Sequence, residues 1–428
     1  MESSRREGPK EWQYLMLRRE GKIFSFLLQN QKAVEIHCEK ADEISRLGNV
    51  YIGRIKNIAK NIQAAFVEIA PGEVCYLPLE DLKHPVFTKK GSSKSAQAGD
   101  ELLVQINREG MKTKFPSVTT QISLHGKYAV LTRGKEQTGV SKKLPIEIRE
   151  ELVRFADRIL EENGELEGPE AGAAGTEPKK GNGREWSWIL RTNAGAASRE
   201  QLKAELLRLK EQYETLMRQA FYRTCFSCLL KTPPAYLNRL SDLYDSSVHE
   251  FLTDDEALYQ EMREYLTEYQ PEDLSKLAFY EDELLPMHKL YSLEHQLSQA
   301  LRERVWMDSG GYLVIQPTEA LTVIDVNTGK YEGGKNKEKT FLKINLQAAR
   351  EVARQLRLRN LSGIIIVDFI NMEKQESKKE LLSALEGFLR EDPVHATLVD
   401  MTKLSLVEIT RQKKEKPLAE SVGEWKTT

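Results

Sequence analysis

Between Asn49 and about Val130 the chain runs through short apolar stretches separated by turn-rich joints: VYIGRIKNI, AAFVEI, VCYLPL, ELLVQI and, after Pro116, SVTTQISL. Five strands at that spacing predict a small β-barrel. The joints include PGE at 71–73 and KKGSSKSAQAGD at 89–100. In the second, GSSKS has the end of a phosphate loop without the first Gly at the required spacing, which excludes a nucleoside triphosphate site there. The period then lengthens. From Pro145 to Asn163, Leu152, Phe155, Ala156 and Ile159 share one helical face, with Pro in the first turn. Residues 163–184, NGELEGPEAGAAGTEPKKGNGR, hold almost no large apolar side chain and read as a flexible insertion. WSWILRT resumes as a strand. Ser198, followed by Glu200 and Leu202, starts a helix expected to reach about Leu230, before Pro233 and Pro234.

Residues 240–285 read as a mixture of short helices and a strand. Leu290 to Arg304 is helical, GGYLVIQ and ALTVIDVN are strands, Lys339 to Asn360 is a long helix, and GIIIVDFIN is another strand. A helix from about Glu373 to Arg390, a strand ATLVDM and a last strand or helix LSLVEIT complete the alternation of an α/β or α+β domain. After Arg411 the chain reads as a polar tail. No repeat of about 20–50 residues recurs, which argues against a solenoid.

Composition narrows the class. With 428 residues, 40% hydrophobic and 30% charged, the chain is long enough for about two to four domains with buried cores. The most apolar run, Gly363 to Val367, is followed by Asp368 and falls far short of the ~20 residues of a membrane helix. The charged N-terminus is no secretory signal, and Cys38, Cys75, Cys225 and Cys228 make no disulfide scaffold, so a cytoplasmic location is expected. The net charge of -2 hides a segregation: residues 240–285 hold 14 acidic and 2 basic residues, whereas 330–360 hold 9 basic and 3 acidic. That asymmetry suits a polyanion partner on one face, or simply solvated helices.

Two of the strands carry the candidate chemistry. LTVIDVNTG and GIIIVDFIN each place one Asp in an apolar run, and a buried carboxylate is costly unless paired or bound to metal. Period two puts Asp325 and Asn327 on one face, and Asp368 on the face of Ile366 and Ile370. If the strands are neighbours, both carboxylates converge at the strand ends. That suits Mg²⁺, which is held by one or two carboxylates with water and substrate phosphate completing its shell. The Asn327 amide is then placed to orient a water or the scissile phosphate. No His lies near either Asp in sequence, which favours a metal-activated water attacking a phosphodiester. The alternative is two Asp residues serving as turn or helix caps. The intervening helix, with Arg350, Arg354, Arg357 and Arg359, turns the reading toward phosphate handling, although such rows are commonly solvated.

TEALTVIDVNTGKY, TFLKINLQAAREVARQLRLRNLSGIIIVDFINM and LSLVEITRQ resemble the catalytic region of the ribonuclease E/G family of bacterial endoribonucleases. The resemblance covers roughly residues 46–412, apart from the Gly-rich insertion. It implies an α+β multidomain fold. A DNase I-like α/β catalytic region would occupy 301–412, with Asp325 and Asp368 holding Mg²⁺ (Mn²⁺ as a substitute) and Asn327 assisting. An S1-type OB barrel would occupy 46–127, with Phe66 and Tyr76 at the stacking positions and Lys114 at the basic RNA-contacting one. Taken alone, AAFVEI makes Phe66 a core residue; on a barrel surface it would stack bases for about 1–3 kcal/mol each. WSWILRTNAG resembles the family's 5′-sensor, implied over 128–234, with Arg191 and Thr192 as its phosphate-contacting pair. An RNase H-like region would be split between 1–45 and 235–300, with 413–428 as polar tail.

The sequence also departs from the family. No CPxC motif follows Arg411, so zinc is not expected as a cofactor, and any homo-oligomer is expected to lack a zinc link. Cys225 and Cys228 sit in a helical apolar pattern and read as buried helix cysteines. Asn371 stands where the family's DFIDM motif has a second acid, and Tyr76 where it has a Phe. The resulting expectation is an Mg²⁺-dependent endoribonuclease of single-stranded RNA, acting in ribosomal RNA maturation or messenger RNA turnover and leaving 5′-phosphate and 3′-hydroxyl ends. One rival is an RNA-binding protein of the same fold with little or no nuclease activity, suggested by Asn371 and the missing zinc motif. Another, resting on charge asymmetry alone, is a ribosome- or membrane-associated assembly factor.

Overall fold

Near the N-terminus two tight turns fold a run of apolar residues onto itself. Glu20 and Gly21 (φ 50° and 69°), then Asn30 and Gln31 (49° and 63°), supply the positive φ pairs that two-residue hairpins need. They join Trp12–Arg19, Lys22–Gln29 and Lys32–Lys40 into an antiparallel meander. The structure, a computed structural model, describes residues 11–42, 45–83, 85–91, 95–110, 115–134, 137–162, 186–243, 248–329 and 337–423. The expected flexible insertion at 163–184 and Lys114 lie outside them. Two units divide the chain: Met1–Glu43, Ser247–Leu266 and Glu272–Thr428 form one, and Ile44–Ser246 with Thr267–Pro271 the other.

In the first unit the meander is extended by Val248–Thr253 and Leu277–Phe279, both parallel additions, giving a five-stranded sheet. The sequence reading resolved no strand before Asn49. The segment after Arg411 is more than a polar tail: Leu418–Val422 is a short helix whose Leu418 and Val422 are buried in this sheet's core. Lys22 Nζ donates to the Val422 carbonyl at 2.6 Å, and the Leu418 amide to the Arg359 carbonyl at 2.9 Å.

The same unit holds a six-stranded sheet in the order Arg304–Trp306, Tyr312–Pro317, Leu321–Asn327, Gly363–Asp368, Leu406–Arg411, Ala396–Met401. LSLVEIT is therefore a strand. The helix expected from Leu290 to Arg304 is shorter, Leu293–Leu301, because Arg304–Trp306 pairs at the sheet edge instead. Only the central strands, Leu321–Asn327 and Gly363–Asp368, are parallel, and the helix Lys337–Leu358 makes the crossover they require. That helix and Gln375–Arg390 cover one face through Ile344, Ala348, Val352, Leu381 and Leu385, packed on Ile324, Val326, Ile365 and Val367. The alternate strand residues face away from these helices.

In the second unit Val50–Ala59, Ala64–Ala70, Glu73–Pro78, Ser117–Thr119 and Glu101–Arg108 form a barrel, closed by pairing of the first with the last. SVTTQISL divides. Ser117–Thr119 stays in the barrel, and Ser123–His125 joins a four-stranded sheet with Ala129–Arg133, Trp186–Leu190 and Gly139–Val140. The helices Ile146–Glu162 and Arg199–Ala220 bury Leu152, Ala156, Leu202 and Leu206 in the core they share with it. Ser198 caps the second helix through a reciprocal pair with Gln201. That helix stops at Ala220, well short of Leu230. Cys228–Leu230 is instead a strand on the Val50–Ala59 edge, and Phe226, at φ 72°, turns the chain into it. Pairing with the barrel edge, including Phe226 N to Ile52 O at 2.8 Å, overrides the helical period. Cys225 and Cys228 are therefore half-buried loop and strand residues, and burial pushes both thiols up.

Candidate active site

Asp325 and Asp368 are direct partners across the parallel central strands, so their side chains leave the sheet on the same face. Both are exposed, opposite the face that the helices cover. Partial burial, with the charge of Asp325 beside it, holds the Asp368 carboxyl above the usual carboxylate range. Asn327, two residues beyond Asp325, donates from Nδ2 to Asp325 Oδ2 at 2.7 Å and fixes that carboxylate's orientation. The three residues are thus gathered in one place. Two adjacent like charges are what a divalent cation neutralises, and among the described residues no third carboxylate, His or Cys joins them. That donor set fits Mg²⁺, which needs few protein ligands and keeps most of its octahedral shell for water and phosphate oxygens.

The loop after Asp368 is held from below. Fully buried Asn345, on the Lys337–Leu358 helix, donates to the Ile370 carbonyl at 2.8 Å and accepts from the Ile370 amide at 3.0 Å. Asn371, next in the chain, is exposed. On the Asp325 side, Gly329 (φ 63°) closes the strand end so tightly that a Cβ there would lie 2.2 Å from the Gly310 carbonyl oxygen.

The arginine row needs correction. Arg354 pairs with Glu351 at 2.7 Å and donates to the Ala33 carbonyl, Arg357 pairs with Glu35, and Arg359 is buried against Gln355. These side chains tie their helix to the Lys32–Lys40 strand and hydrogen-bond along the helix itself. They handle no phosphate at the carboxylates, because the helix bearing them covers the opposite sheet face. Arg350 is exposed.

On the barrel, Phe66 and Tyr76 are register partners on adjacent strands, half-exposed and edge-to-face with centroids 6.4 Å apart. Ala65, Val67, Cys75 and Leu77, which alternate with them, fill the core. A third ring, Phe115, packs edge-to-face on Phe66 at 6.0 Å and is 59% exposed. The sequence reading missed it; an aromatic directly before Pro116, outside any alternating run, was the available signal.

Arg191 and Thr192 sit where the Trp186–Leu190 strand turns into a 3-10 segment. Arg191 donates from Nη1 to the Gly126 carbonyl at 2.8 Å and from its amide to the Tyr128 carbonyl at 2.7 Å. The Thr192 hydroxyl lies 2.8 Å from that of Ser141. The turn that Arg191 contacts is organised by Glu205, which sequence reasoning did not single out. Its buried carboxylate accepts the amides of Lys127, Tyr128 and Ala129 at 2.7–2.9 Å. Burial raises the Glu205 carboxyl, although these amides and Arg208 oppose the rise. A Cβ at Gly126 would lie 2.5 Å from that carboxylate, so a side chain there would make the Glu205 carboxylate or the turn shift.

Residues 123–414 match the model of the ribonuclease E/G family. The chain belongs to that family. Ribonuclease G of Salmonella typhimurium (strain SL1344) is 32% identical over 391 residues, covering 89% of this chain and 75% of that protein. Ribonuclease G of Escherichia coli (strain K12) is 31% identical with the same coverage, and ribonuclease E of Nostoc sp. (strain PCC 7120 / SAG 25.82 / UTEX 2576) is 29% identical over 89% of this chain and 53% of that protein. Membership places the chain among the endoribonucleases, as its motifs implied. A mixed α+β fold with a closed five-stranded barrel agrees with that reading. Among the described residues, no helix is long and apolar enough to cross a membrane.

Proposed function

We propose that this member of the ribonuclease E/G family cleaves single-stranded RNA with Mg²⁺ at the Asp325–Asp368 pair. The observation that carries the proposal is the register pairing of the two carboxylates on the open sheet face, with Asn327 bonded to Asp325. When bound, Mg²⁺ supplies an activated water at neutral pH and neutralises charge building on the phosphodiester. Asp325 and Asp368 would hold it, Asn327 keeps Asp325 oriented, and Asn345 holds the loop that follows Asp368. Water adds to phosphorus as the P–O3′ bond breaks and the 3′-oxygen leaves and takes up a proton, so the products carry 5′-phosphate and 3′-hydroxyl ends, as the family resemblance implies.

In this reading 301–412 is the DNase I-like catalytic region, and 46–127 the S1-type barrel whose Phe66 and Tyr76 stack bases, with Phe115 extending the aromatic surface and Lys114 as its cation. Residues 128–234 form the 5′-sensor, where Arg191 and Thr192 read a terminal monophosphate and Glu205 shapes the turn beneath Arg191. The strands Trp12–Arg19 and Val248–Thr253, paired in one sheet, support an RNase H-like region drawn from both ends of the barrel insertion. The substrates proposed are ribosomal RNA precursors and messenger RNA in the cytoplasm, with Mn²⁺ able to replace Mg²⁺ and a homo-oligomer that needs no zinc link. The test is cleavage of one RNA bearing either a 5′-triphosphate or a 5′-monophosphate, with and without Mg²⁺. Cleavage that needs the metal and is faster on the monophosphate supports the reading; metal-independent cleavage overturns it.

A further inference from the structure

The open face of the six-stranded sheet extends beyond the carboxylates to an aromatic edge. Trp306, on the edge strand, is 64% exposed, and its ring leans on that of Tyr312 with centroids 5.0 Å apart and planes inclined by 54°. The Arg304 guanidinium lies over both, 4.6 Å from the Tyr312 centroid and 5.9 Å from that of Trp306. Strand register places this cluster. Trp306 pairs with Tyr312 and Tyr312 with Asn327, while Arg304 pairs with Val314, Val314 with Asp325, and Asp325 with Asp368. Directly paired residues share a face. Trp306, Tyr312 and Asn327 therefore form one row, and Arg304, Val314 and the two carboxylates form the next, all on the side away from the helices. At about 4.8 Å per strand, the edge strand lies about 10 Å from the Asp325 strand, within reach of a nucleotide bound at the carboxylates.

An exposed Trp on an edge strand does nothing to discourage edge pairing, the usual task of Lys, Pro or a bulge there. The residue types suit a polynucleotide instead: a π-face that accepts any base, and a guanidinium whose planar donors meet a phosphate. We infer that Arg304, Trp306 and Tyr312 form a nucleobase platform holding a nucleotide that flanks the scissile phosphodiester, with the base on Trp306 and the adjoining phosphate at Arg304. This rests on the nuclease reading of the carboxylate pair and adds to it an RNA subsite on the catalytic sheet itself.

The full chain carrying Asp368→Asn, to prevent cleavage, is titrated by fluorescence anisotropy with a labelled oligoribonucleotide, intact or with one abasic sugar at successive positions. In this parent, an abasic sugar at one position beside the cleavage site should weaken binding about tenfold. Trp306→Ala should lose about tenfold on intact RNA and become indifferent to that abasic sugar, whereas Trp306→Phe should stay near the parent. Trp306→Leu keeps apolar bulk without the π-face and serves if the Ala variant fails to fold. Arg304→Ala should lower the salt slope of binding by about one. If the parent binds RNA and Trp306→Leu, or a folded Trp306→Ala, binds it equally well, the platform is wrong and the nuclease reading stands. If the parent binds no RNA, the nuclease reading fails and the platform with it. If Trp306→Ala leaves RNA binding intact but turns a dimer into a monomer in sedimentation, the face joins two copies of the chain and the inference is overturned.

Discussion

Asn345 and Ile370 exchange two hydrogen bonds, the buried amide of one side chain closing on both backbone groups of the other residue. This joins the crossover helix to the loop that leaves Asp368. Asn345→Leu deletes both bonds and strands an N–H and a C=O of Ile370, a loss of about 2–4 kcal/mol in denaturant unfolding. RNA affinity should change little while kcat falls, because the loop and not the barrel is released. Equal losses in affinity and kcat would contradict this positioning role.

Glu35 and Arg357 make an acid-sensitive link between the Lys32–Lys40 strand and the same helix. Burial by itself would push the Glu35 carboxyl up, but the Arg357 charge and hydrogen bonds from His37 and Arg357 outweigh it and bring it down to about 2. A carboxyl depressed on folding contributes its stability above the unfolded value, near 4.3, and loses it as pH falls toward 2. The contribution is at most about 3 kcal/mol. Glu35→Gln should remove most of it at pH 7 and flatten the acid limb of the stability curve between about pH 4 and 2. An unchanged acid limb would sink the assignment.

Arg411 and Asp392 form a buried ion pair at 2.8 Å, and Arg411 also donates to Asn360 Oδ1 and the Leu361 carbonyl. Arg411→Met takes the buried cation away from the Asp392 carboxylate and should cost about 3–5 kcal/mol. The double variant Arg411→Met, Asp392→Leu should recover part of that loss. A double variant less stable than Arg411→Met would show that the pair is not what the second substitution relieves.

Gly126 and Glu205 govern the turn under Arg191. Gly126→Ala forces a Cβ against the carboxylate and should displace the turn. The predicted result is a reduced preference for 5′-monophosphorylated over 5′-hydroxyl RNA, with cleavage of the 5′-hydroxyl RNA unchanged. A uniform fall on both RNAs would point to a fold defect instead.

Much of this was legible in the sequence because alternation is local. The barrel strands, the two Asp strands and the Ser198 start each follow from neighbours a few residues apart. What was not legible depended on remote partners. The arginines of the crossover helix were read toward phosphate because period alone does not say what packs on the far side; Glu35 and the Ala33 carbonyl do. Cys228 was read as helical because its strand partner, Tyr51, lies far back in the chain. Nothing local in the sequence sets Glu205 apart from the other acids of its helix; the three distant amides that it accepts do. The edge Trp306 carried no signal beyond one aromatic in a charged stretch.

The central claim is that the register pair of carboxylates performs the cleavage. The decisive measurement is single-turnover cleavage of a 5′-monophosphorylated RNA by the full chain, Asp325→Asn and Asp368→Asn at saturating protein, across a Mg²⁺ titration. Each variant should cut at least about a hundredfold more slowly while binding the RNA with parental affinity, as expected when a group stabilising the transition state is removed. Parental rates in both variants at the same Mg²⁺ concentration would contradict the account.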